Sequence, residues 1–530
     1  MENFLQAETL VIELLLIVSL VAIAVRRLSI PYTVALVVAG LLLTIQSPLE
    51  VNLTPELILA LFVPPLVFEA AFHINLTEIQ RNLPHILVLA APGVVLTMLI
   101  VGGLVAWAIP LNWPAAFLFG ALIAATDPVA VVALFRTLGV PRRVALLVES
   151  ESLFNDGAAI VVFNLVLTAA LTGHFNPVEG ITDFVRVAAG GTVVGLVLGW
   201  VISELIARID DYLIETTLTT VLAFGAYLLA EALQVSGVLA VVAAGLVNGN
   251  LGQRGMSPTT RTVLFNFWEY VAFLANSVVF LLIGLEINLA SLAAAWQPVL
   301  WAIGAVLIAR VIVVYGLSRL VNRWAEPIPL RWQHLLTWGG LRGAISLALA
   351  LSLPAALGPD RDRLQVMTFG VVLFTLLVQA TTMRPLIRWL RIITRNEAQV
   401  AYETRHARLT ALRAAGKHLD RLHAEGLLST PTWEKLKPEI AQQTDALADD
   451  VREMLRTETA LGAEELDTAR REVLRAQRSA LLGLRRDGVI SEEVFVTLAT
   501  EVDSTLSGTP ESLLVEAEGE APPVEGQGHG

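Results

Sequence analysis

The run Ala124-Ala125-Thr126-Asp127-Pro128-Val129-Ala130 interrupts an otherwise apolar stretch from residue 114 to 135. That stretch is long enough to cross a bilayer, whose hydrocarbon core of about 30 Å takes roughly 20 residues of helix. At its middle it carries a carboxylate and then a proline, which removes a backbone donor and clashes with the preceding turn. The expected result is a helix broken at mid-membrane, and such a break survives only where it is buried in protein or lines a wet cavity. A second segment of this kind lies at 331–354, around Thr337-Trp338-Gly339-Gly340-Leu341-Arg342-Gly343-Ala344-Ile345-Ser346. Here clustered glycines loosen the helix, and the charge at the break is an arginine.

Around these two segments the chain reads as an all-α multi-pass membrane protein. About thirteen apolar spans are expected, at 9–25, 30–46, 55–72, 84–109, 114–135, 144–172, 184–206, 213–233, 235–250, 268–287, 295–318, 331–354 and 364–390. The interrupted fifth and twelfth spans are seven apart, an odd number, so they run in opposite directions. That is the signature of two inverted six-helix repeats, spans 1–6 matched to 8–13, and in secondary transporters such paired interrupted helices mark the ion site near the midplane. With the N-terminus outside, Arg26, Arg27, Arg81, Arg136, Arg142, Arg143, Arg208, Arg254, Arg261, Arg319, Arg323 and Arg331 fall in inside loops, against Arg186, Arg361 and Arg363 outside. The split obeys the positive-inside rule and places the C-terminal tail in the cytoplasm.

Composition agrees. Hydrophobic residues make up 55% and charged residues 16%, where soluble domains average about 25% charged. The first apolar run lacks the basic start and small-residue cleavage site of a secretory signal, so it reads as a spanning helix. With no cysteine among 530 residues, disulfides, thiolate metal sites and a cysteine nucleophile are excluded. A net charge of −12 and little basic surface argue against a nucleic-acid partner. Charge becomes dense only after about residue 392. The expected organisation is therefore a transmembrane domain over 1–392, a cytosolic helical domain over 393–516 and a disordered, Glu/Gly/Pro-rich end over 517–530. In the tail, 401–425 and 462–486 have helical spacing, with turns at 426–429 and 487–491 that end in a helix cap. No phosphate-loop pattern supports a nucleotide sensor, and no nucleophile–base or metal-ligand constellation supports an enzyme.

Charges inside spans are costly and usually functional. The main ones are Glu69 in span 3, Asp127 in span 5, Glu149, Glu151 and Asp156 in span 6, Arg310 in span 11 and Arg342 in span 12. Glu204, Glu215, Glu231, Glu269 and Glu286 lie near span ends, within reach of the interface. In Val148-Glu149-Ser150-Glu151-Ser152-Leu153-Phe154-Asn155-Asp156-Gly157, residues four apart share a face, so Ser152 aligns with Asp156 and Glu151 with Asn155. At 1.5 Å per residue, Asp156 lies about 18 Å into span 6 and Asp127 about 20 Å into span 5, from opposite sides. A hard cation such as Na+ takes carboxylate, hydroxyl and carbonyl oxygens, which Asp156, Ser152, Thr126 and the carbonyls freed at the break supply. Na+ and a proton competing for one carboxylate is itself an exchange mechanism. Glu151 is expected to pair with Arg342, tying span 6 to span 12, and Arg310 to balance either Asp127 or Glu69. Glu149 reads as part of an access funnel or as a solvated loop-end acid, the second being preferred.

Five motifs resemble the cation:proton antiporters of the NhaP and sodium–proton exchanger family. Glu151-Ser152-Leu153-Phe154-Asn155-Asp156 resembles the family's Glu-Ser-Leu-x-Asn-Asp signature, Ala125-Thr126-Asp127-Pro128-Val129-Ala130 its broken fifth helix, and Trp338 to Ala344 its twelfth. Phe62-Val63-Pro64-Pro65-Leu66-Val67-Phe68-Glu69-Ala70 and the run from Phe273 to Gly284 are also similar. The resemblance covers most of 1–392. It implies a thirteen-helix antiporter fold with two broken, crossing helices, and a homodimer built from a dimerisation part and a moving core. It implies that Asp156 carries Na+ (or Li+) and the proton, with Asn155 beside it and Thr126, Ser152 and Glu151 helping to form the site. It also implies that Glu151 pairs with Arg342 and that Asp127 compensates the helix ends at the crossing. Asparagine rather than a second carboxylate at 155 favours electroneutral one-for-one exchange. No cofactor is expected beyond the transported Na+ and H+. The alternatives are the same fold moving K+, a sodium-coupled organic-anion symporter, and a non-transporting membrane sensor that signals through the tail.

Overall fold

The computed structural model describes residues 2–25, 31–46, 58–174, 176–209, 211–252, 256, 258–392, 397–457, 459–486 and 488–506. Two compact units are present, Met1–Thr394 and Arg395–Gly530. Among the described residues all regular structure is helical.

In the first unit the helices are α1 Glu2–Val25, α2 Tyr32–Gln46, α3 Val63–His73, α4 Leu76–Ala108, α5 Trp113–Leu122, α6 Val129–Leu138, α7 Arg142–Thr172, α8 Pro177–Ile206 and α9 Tyr212–Ala232. They continue with α10 Gly237–Asn250, α11 Pro258–Glu286, α12 Leu289–Ala294, α13 Trp296–Val321, α14 Leu330–Trp338, α15 Ala344–Leu351, α16 Pro359–Phe374 and α17 Thr381–Trp389. Their starts follow local chemistry. Asn75, Asn112, Asn176 and Asp211 each accept a hydrogen bond from a backbone N–H of the turn they open, which satisfies one of the donors a helix start leaves free. Helices α6 and α7 end on Gly139 and Gly173 at φ 68° and 72°, the left-handed conformation that glycine adopts without a Cβ penalty.

Among the described residues seven helices, taking α16 and α17 together, are long and apolar enough to cross a membrane by length and composition. The predicted spans 5 and 12 are each two half-helices: α5 and α6 are separated by residues 123–128, and α14 and α15 by residues 339–343. Span 13 also differs from its expected single helix, because a wide π-turn, Thr375–Ala380, joins α16 to α17. A similar π-turn, Ile58–Phe62, leads into α3.

Lipid tails are as apolar as leucine, so close packing rather than hydrophobic exclusion holds membrane helices together, and small residues permit it. Glycines 191, 195 and 199 of α8 form such a seam along α10, where a Cβ at Gly191 or Gly195 would overlap the carbonyl oxygen of Ser236 or Ala240. Gly40 of α2 and Gly284 of α11 meet backbone to backbone in the same way. Glu215, expected near the interface, is fully buried in the first turn of α9.

The second unit comprises α18 Glu397–Ala424, α19 Thr430–Thr457, α20 Thr459–Arg486 and α21 Glu492–Leu506. Helices α19 and α21 start at Thr430 and Glu492, directly after the turns at 426–429 and 487–491 from which the sequence predicts helix starts. The turn after α18 turns on Gly426 at φ 73°. It is clamped by Trp433, which stacks on His423 with ring centroids 4.6 Å apart and donates from Nε1 to Asp420 at 2.9 Å. The expected disordered end, 517–530, lies outside the described residues.

Candidate ion-binding site

The two breaks meet. The Asp127 N–H donates to the Leu341 carbonyl at 2.8 Å, a single backbone bond from one interruption to the other. Arg342 Nη1 donates to the carbonyls of Ala124 and Ala125 at 2.8 and 2.9 Å, and the Arg342 N–H reaches Thr375 Oγ1 at 3.1 Å. These bonds answer the central problem of a broken helix in lipid, which is that each half leaves unsatisfied backbone groups and a partial charge at its end. Arg342 puts a cation on carbonyls just beyond the C-terminal end of α5. Asp127 puts an anion at the start of α6, where its Oδ1 accepts from the Val129 N–H at 2.9 Å. The same carboxylate lies against Gly343, the residue that opens α15, so closely that a Cβ there would overlap it. Arg310 caps the C-terminal end of α14, donating to the Leu336 carbonyl from Nη2 at 2.9 Å and Nε at 3.3 Å.

Arg310 is also the partner of Glu151. Its Nη1 and Nη2 meet the two carboxylate oxygens at 2.5 and 2.9 Å in a buried bidentate pair. This corrects the expected pairing of Glu151 with Arg342, and the expectation that Arg310 balances Asp127 or Glu69. The reason is geometric: Arg342 lies inside the crossing and its guanidinium is used by carbonyls. Glu151, one turn toward the start of α7 from Asn155, faces α13 instead.

Helix α7 presents Ser152, Asn155 and Asp156 to the first break. Ser152 Oγ donates to the Thr126 carbonyl, and Asn155 Nδ2 donates to Thr126 Oγ1 at 3.3 Å. Asp156 Oδ1 is buried with no hydrogen-bond partner among the described residues, as is Asn155 Oδ1. Asp156, Ser152, Thr126 and Asp127 line one cavity of ≈ 80 Å³. A water needs roughly 10–15 Å³ on this measure, so there is room for a cation with part of its hydration. The two carboxylates therefore share one cavity.

Three further residues of this wall were not singled out: Asn276 of α11, Gly343 and Ser346. Asn276 had a legible signal, an amide inside an apolar run. Glu149 also lines the cavity, with Arg136 at 3.7 Å, so the access-funnel reading fits its position better than the solvated loop-end acid. Glu69 does not line the cavity; it lies beside His73, 3.3 Å away on the same helix.

A second cavity, ≈ 820 Å³, begins where the first ends. Along α7 the first is lined up to Asp156 and the second from Ile160; along α15 the first reaches Ser346 and the second starts at Leu349. The partition is about one helical turn thick, some 6 Å. Leu239 of α10 fills it, packed on Gly157 so tightly that a Cβ at 157 would sit 2.5 Å from its Cδ2.

The family model described as sodium/hydrogen exchanger, transmembrane, matches residues 14–389. The chain is 44% identical over 421 residues to the Na(+)/H(+) antiporter ApNhaP of Aphanothece halophytica, covering 77% of this chain and 80% of that protein. It is 36% identical over 479 residues to the Na(+)/H(+) antiporter NhaG of Bacillus atrophaeus, covering 88% and 90%. In fold it is similar to the sodium proton antiporter MjNhaP1 of Methanocaldococcus jannaschii, with a TM-score of 0.62 at 24% identity over 74% of this chain and 100% of that one. The crossed breaks, the family match and these relatives lead to one conclusion: the chain is a multi-pass membrane protein of the sodium/hydrogen exchanger family, of the NhaP type.

Proposed function

We propose that this protein exchanges Na+ (or Li+) for H+ across the membrane, one for one, with Asp156 binding either ion in turn. The observation that carries this reading is the buried Asp156 Oδ1 without a hydrogen-bond partner among the described residues, in a cavity whose other oxygens belong to Ser152, Thr126 and Asp127. These are hard ligands suited to Na+. Asn155 contributes no second titrating carboxylate, so each turnover moves one charge each way. In this reading Asn155 and Ser152 hold Thr126 in place, while Arg342, Asp127 and Arg310 neutralise the half-helix ends. The Arg310–Glu151 pair fixes α7 to α13. Glu69 acts from beside the access route.

Alternating access is supported by the two cavities on either side of the Leu239–Gly157 partition. We further propose thirteen spans in two inverted repeats, an outside N-terminus, a cytoplasmic tail domain after residue 392, and an inner-membrane location. A homodimer is supported by α8, whose glycine face packs inward while Val193, Leu196, Val197 and Trp200 are exposed on the other side. The proposed test loads everted vesicles or proteoliposomes with a pH dye, presets an acid-inside gradient, and pulses Na+, Li+ or K+ across wild type and Asp156→Asn. Dissipation by Na+ in wild type and not in the variant is expected. Faster dissipation by K+ would reassign the ion, and no response to any cation in inserted protein would refute exchange.

A further inference from the structure

A groove away from the ion site, of ≈ 500 Å³, runs between α13, α14 and α17. Its walls include Tyr315, His334, Thr337, Trp338, Thr382 and Trp389. Tyr315 Oη and His334 Nδ1 are bonded to each other, and Trp338 Nε1 donates to Thr382 Oγ1 at 2.9 Å. Four of the polar tips in the wall are thus satisfied by one another, Thr337 Oγ1 donates to the Gln333 carbonyl, and the surface left to an occupant is mainly aromatic and apolar. No acidic side chain lines it.

Three arginines flank this groove: Arg319 and Arg331 about one turn beyond its lining residues, and Arg388 next to the lining residue Trp389. Arg319 is four residues past Tyr315 on α13, Arg331 three before His334 on α14, and Arg388 six past Thr382 on α17. Helix α13 ends where the short connection to α14 begins, so Arg319 and Arg331 share a level. Helix α17 runs away from the Trp338–Thr382 bond toward Arg388 and Trp389. All three arginines are exposed. Among the described residues none of them takes part in an ion pair. Trp389, 76% exposed, stands beside Arg388 at this rim, where amphipathic rings settle at a bilayer interface.

We infer that this groove binds an anionic phospholipid, with an acyl chain against the aromatic wall and the phosphate among Arg319, Arg331 and Arg388. An arginine prefers a bidentate phosphate partner, and basic pockets between spanning helices suit anionic head groups. The apolar groove below the rim is what separates this site from general attraction of the membrane surface. It gives the lipid a seat in the protein and not only a counter-charge.

The test uses the full chain in nanodiscs of phosphatidylcholine, titrated with phosphatidylglycerol or phosphatidylcholine carrying brominated chains. The readout is the tryptophan emission that differs between wild type and Trp389→Phe. Preferential quenching by the brominated phosphatidylglycerol, about tenfold in half-effective concentration, is modest for three arginines at a membrane surface. In Arg319→Gln/Arg331→Gln/Arg388→Gln the preference should fall to near unity. Each single variant serves if the triple variant is poorly inserted, and native mass spectrometry of the purified protein should show a phosphatidylglycerol adduct that Asp156→Asn keeps and the arginine variants lose. Equal quenching by the two lipids in wild type, or a preference that survives removal of the arginines, would overturn the inference and leave only ordinary annular lipid.

Discussion

The Arg310–Glu151 pair offers the sharpest test of how the crossing is held. The side chains of Arg310 and Glu151 are 8% and 3% exposed, at 2.5 Å, and Arg310 also carries the Leu336 carbonyl. Replacing one member of a buried pair leaves the other charge uncompensated, which costs about 3–5 kcal/mol, whereas replacing both with apolar groups of similar volume is often close to neutral. Arg310→Met should therefore destabilise by about 3–5 kcal/mol, with roughly 1 kcal/mol more for the lost cap on Leu336. Glu151→Gln should cost somewhat less, because an amide oxygen still accepts from the guanidinium. The double variant should recover much of this, giving a coupling energy of at least 2 kcal/mol, against about 0.3–0.5 kcal/mol for independent sites. The assay is reversible unfolding in mixed micelles, run as a double-mutant cycle. A parallel cycle of Glu151→Gln with Arg342→Met supplies the comparison. Coupling within 0.5 kcal/mol of zero for Glu151–Arg310, or a larger value for Glu151–Arg342, would refute the pairing and restore the one expected from the motifs.

Four other outcomes are expected. If Na+ and H+ share Asp156, the Na+ concentration for half-maximal exchange should rise about tenfold per pH unit on the acid side, measured by dye-monitored exchange; a pH-independent value would argue for separate sites. Leu239→Ala thins the partition over Gly157 and should give a proton or Na+ leak that persists without the counter-ion, read in the same vesicles. Gly195→Leu forces α8 away from the Ala240 carbonyl and should lower the thermal midpoint in detergent strongly, while Gly304→Leu, with open space around it, should not. In the tail, hydrogen bonding from Trp433, with Lys437 3.1 Å away, holds the Asp420 carboxyl below the ordinary carboxylate value. A depressed carboxylate stabilises above its unfolded pKa and loses that contribution as pH falls through the folded one. The Trp433 signal, wild type minus Trp433→Phe, should therefore change as pH drops below about 4 and stay flat in Asp420→Asn.

Much of this protein was legible because the bilayer allows so few solutions. Long apolar runs have to be helices in lipid, and Pro128 and the cluster Gly339-Gly340 announce where a helix cannot continue. Rise per residue put Asp127 and Asp156 at similar depths in their spans, while their shared cavity is a matter of packing. The Ser152–Asp156 face followed from helical period, and both residues line the cavity. Boundaries were less legible. The π-turn at Thr375–Ala380 changes the helix's pitch without a proline or glycine to announce it.

Which charge meets which was decided by the tertiary structure. Glu151 had two candidate guanidiniums at mid-membrane, Arg310 and Arg342, and helical period shows only the face from which a side chain leaves its helix. The choice was made by the orphan carbonyls at the crossing. Those of Ala124 and Ala125 take Arg342, and Leu336 shares Arg310 with Glu151. Backbone groups carry no signature in the amino-acid order, since every residue has the same carbonyl. The sequence determined that two helices break and that a carboxylate stands beside the break. Only the packed fold decided how the four half-helix ends share the available charges, because that depends on distances between elements far apart in the chain, most of them by more than a hundred residues.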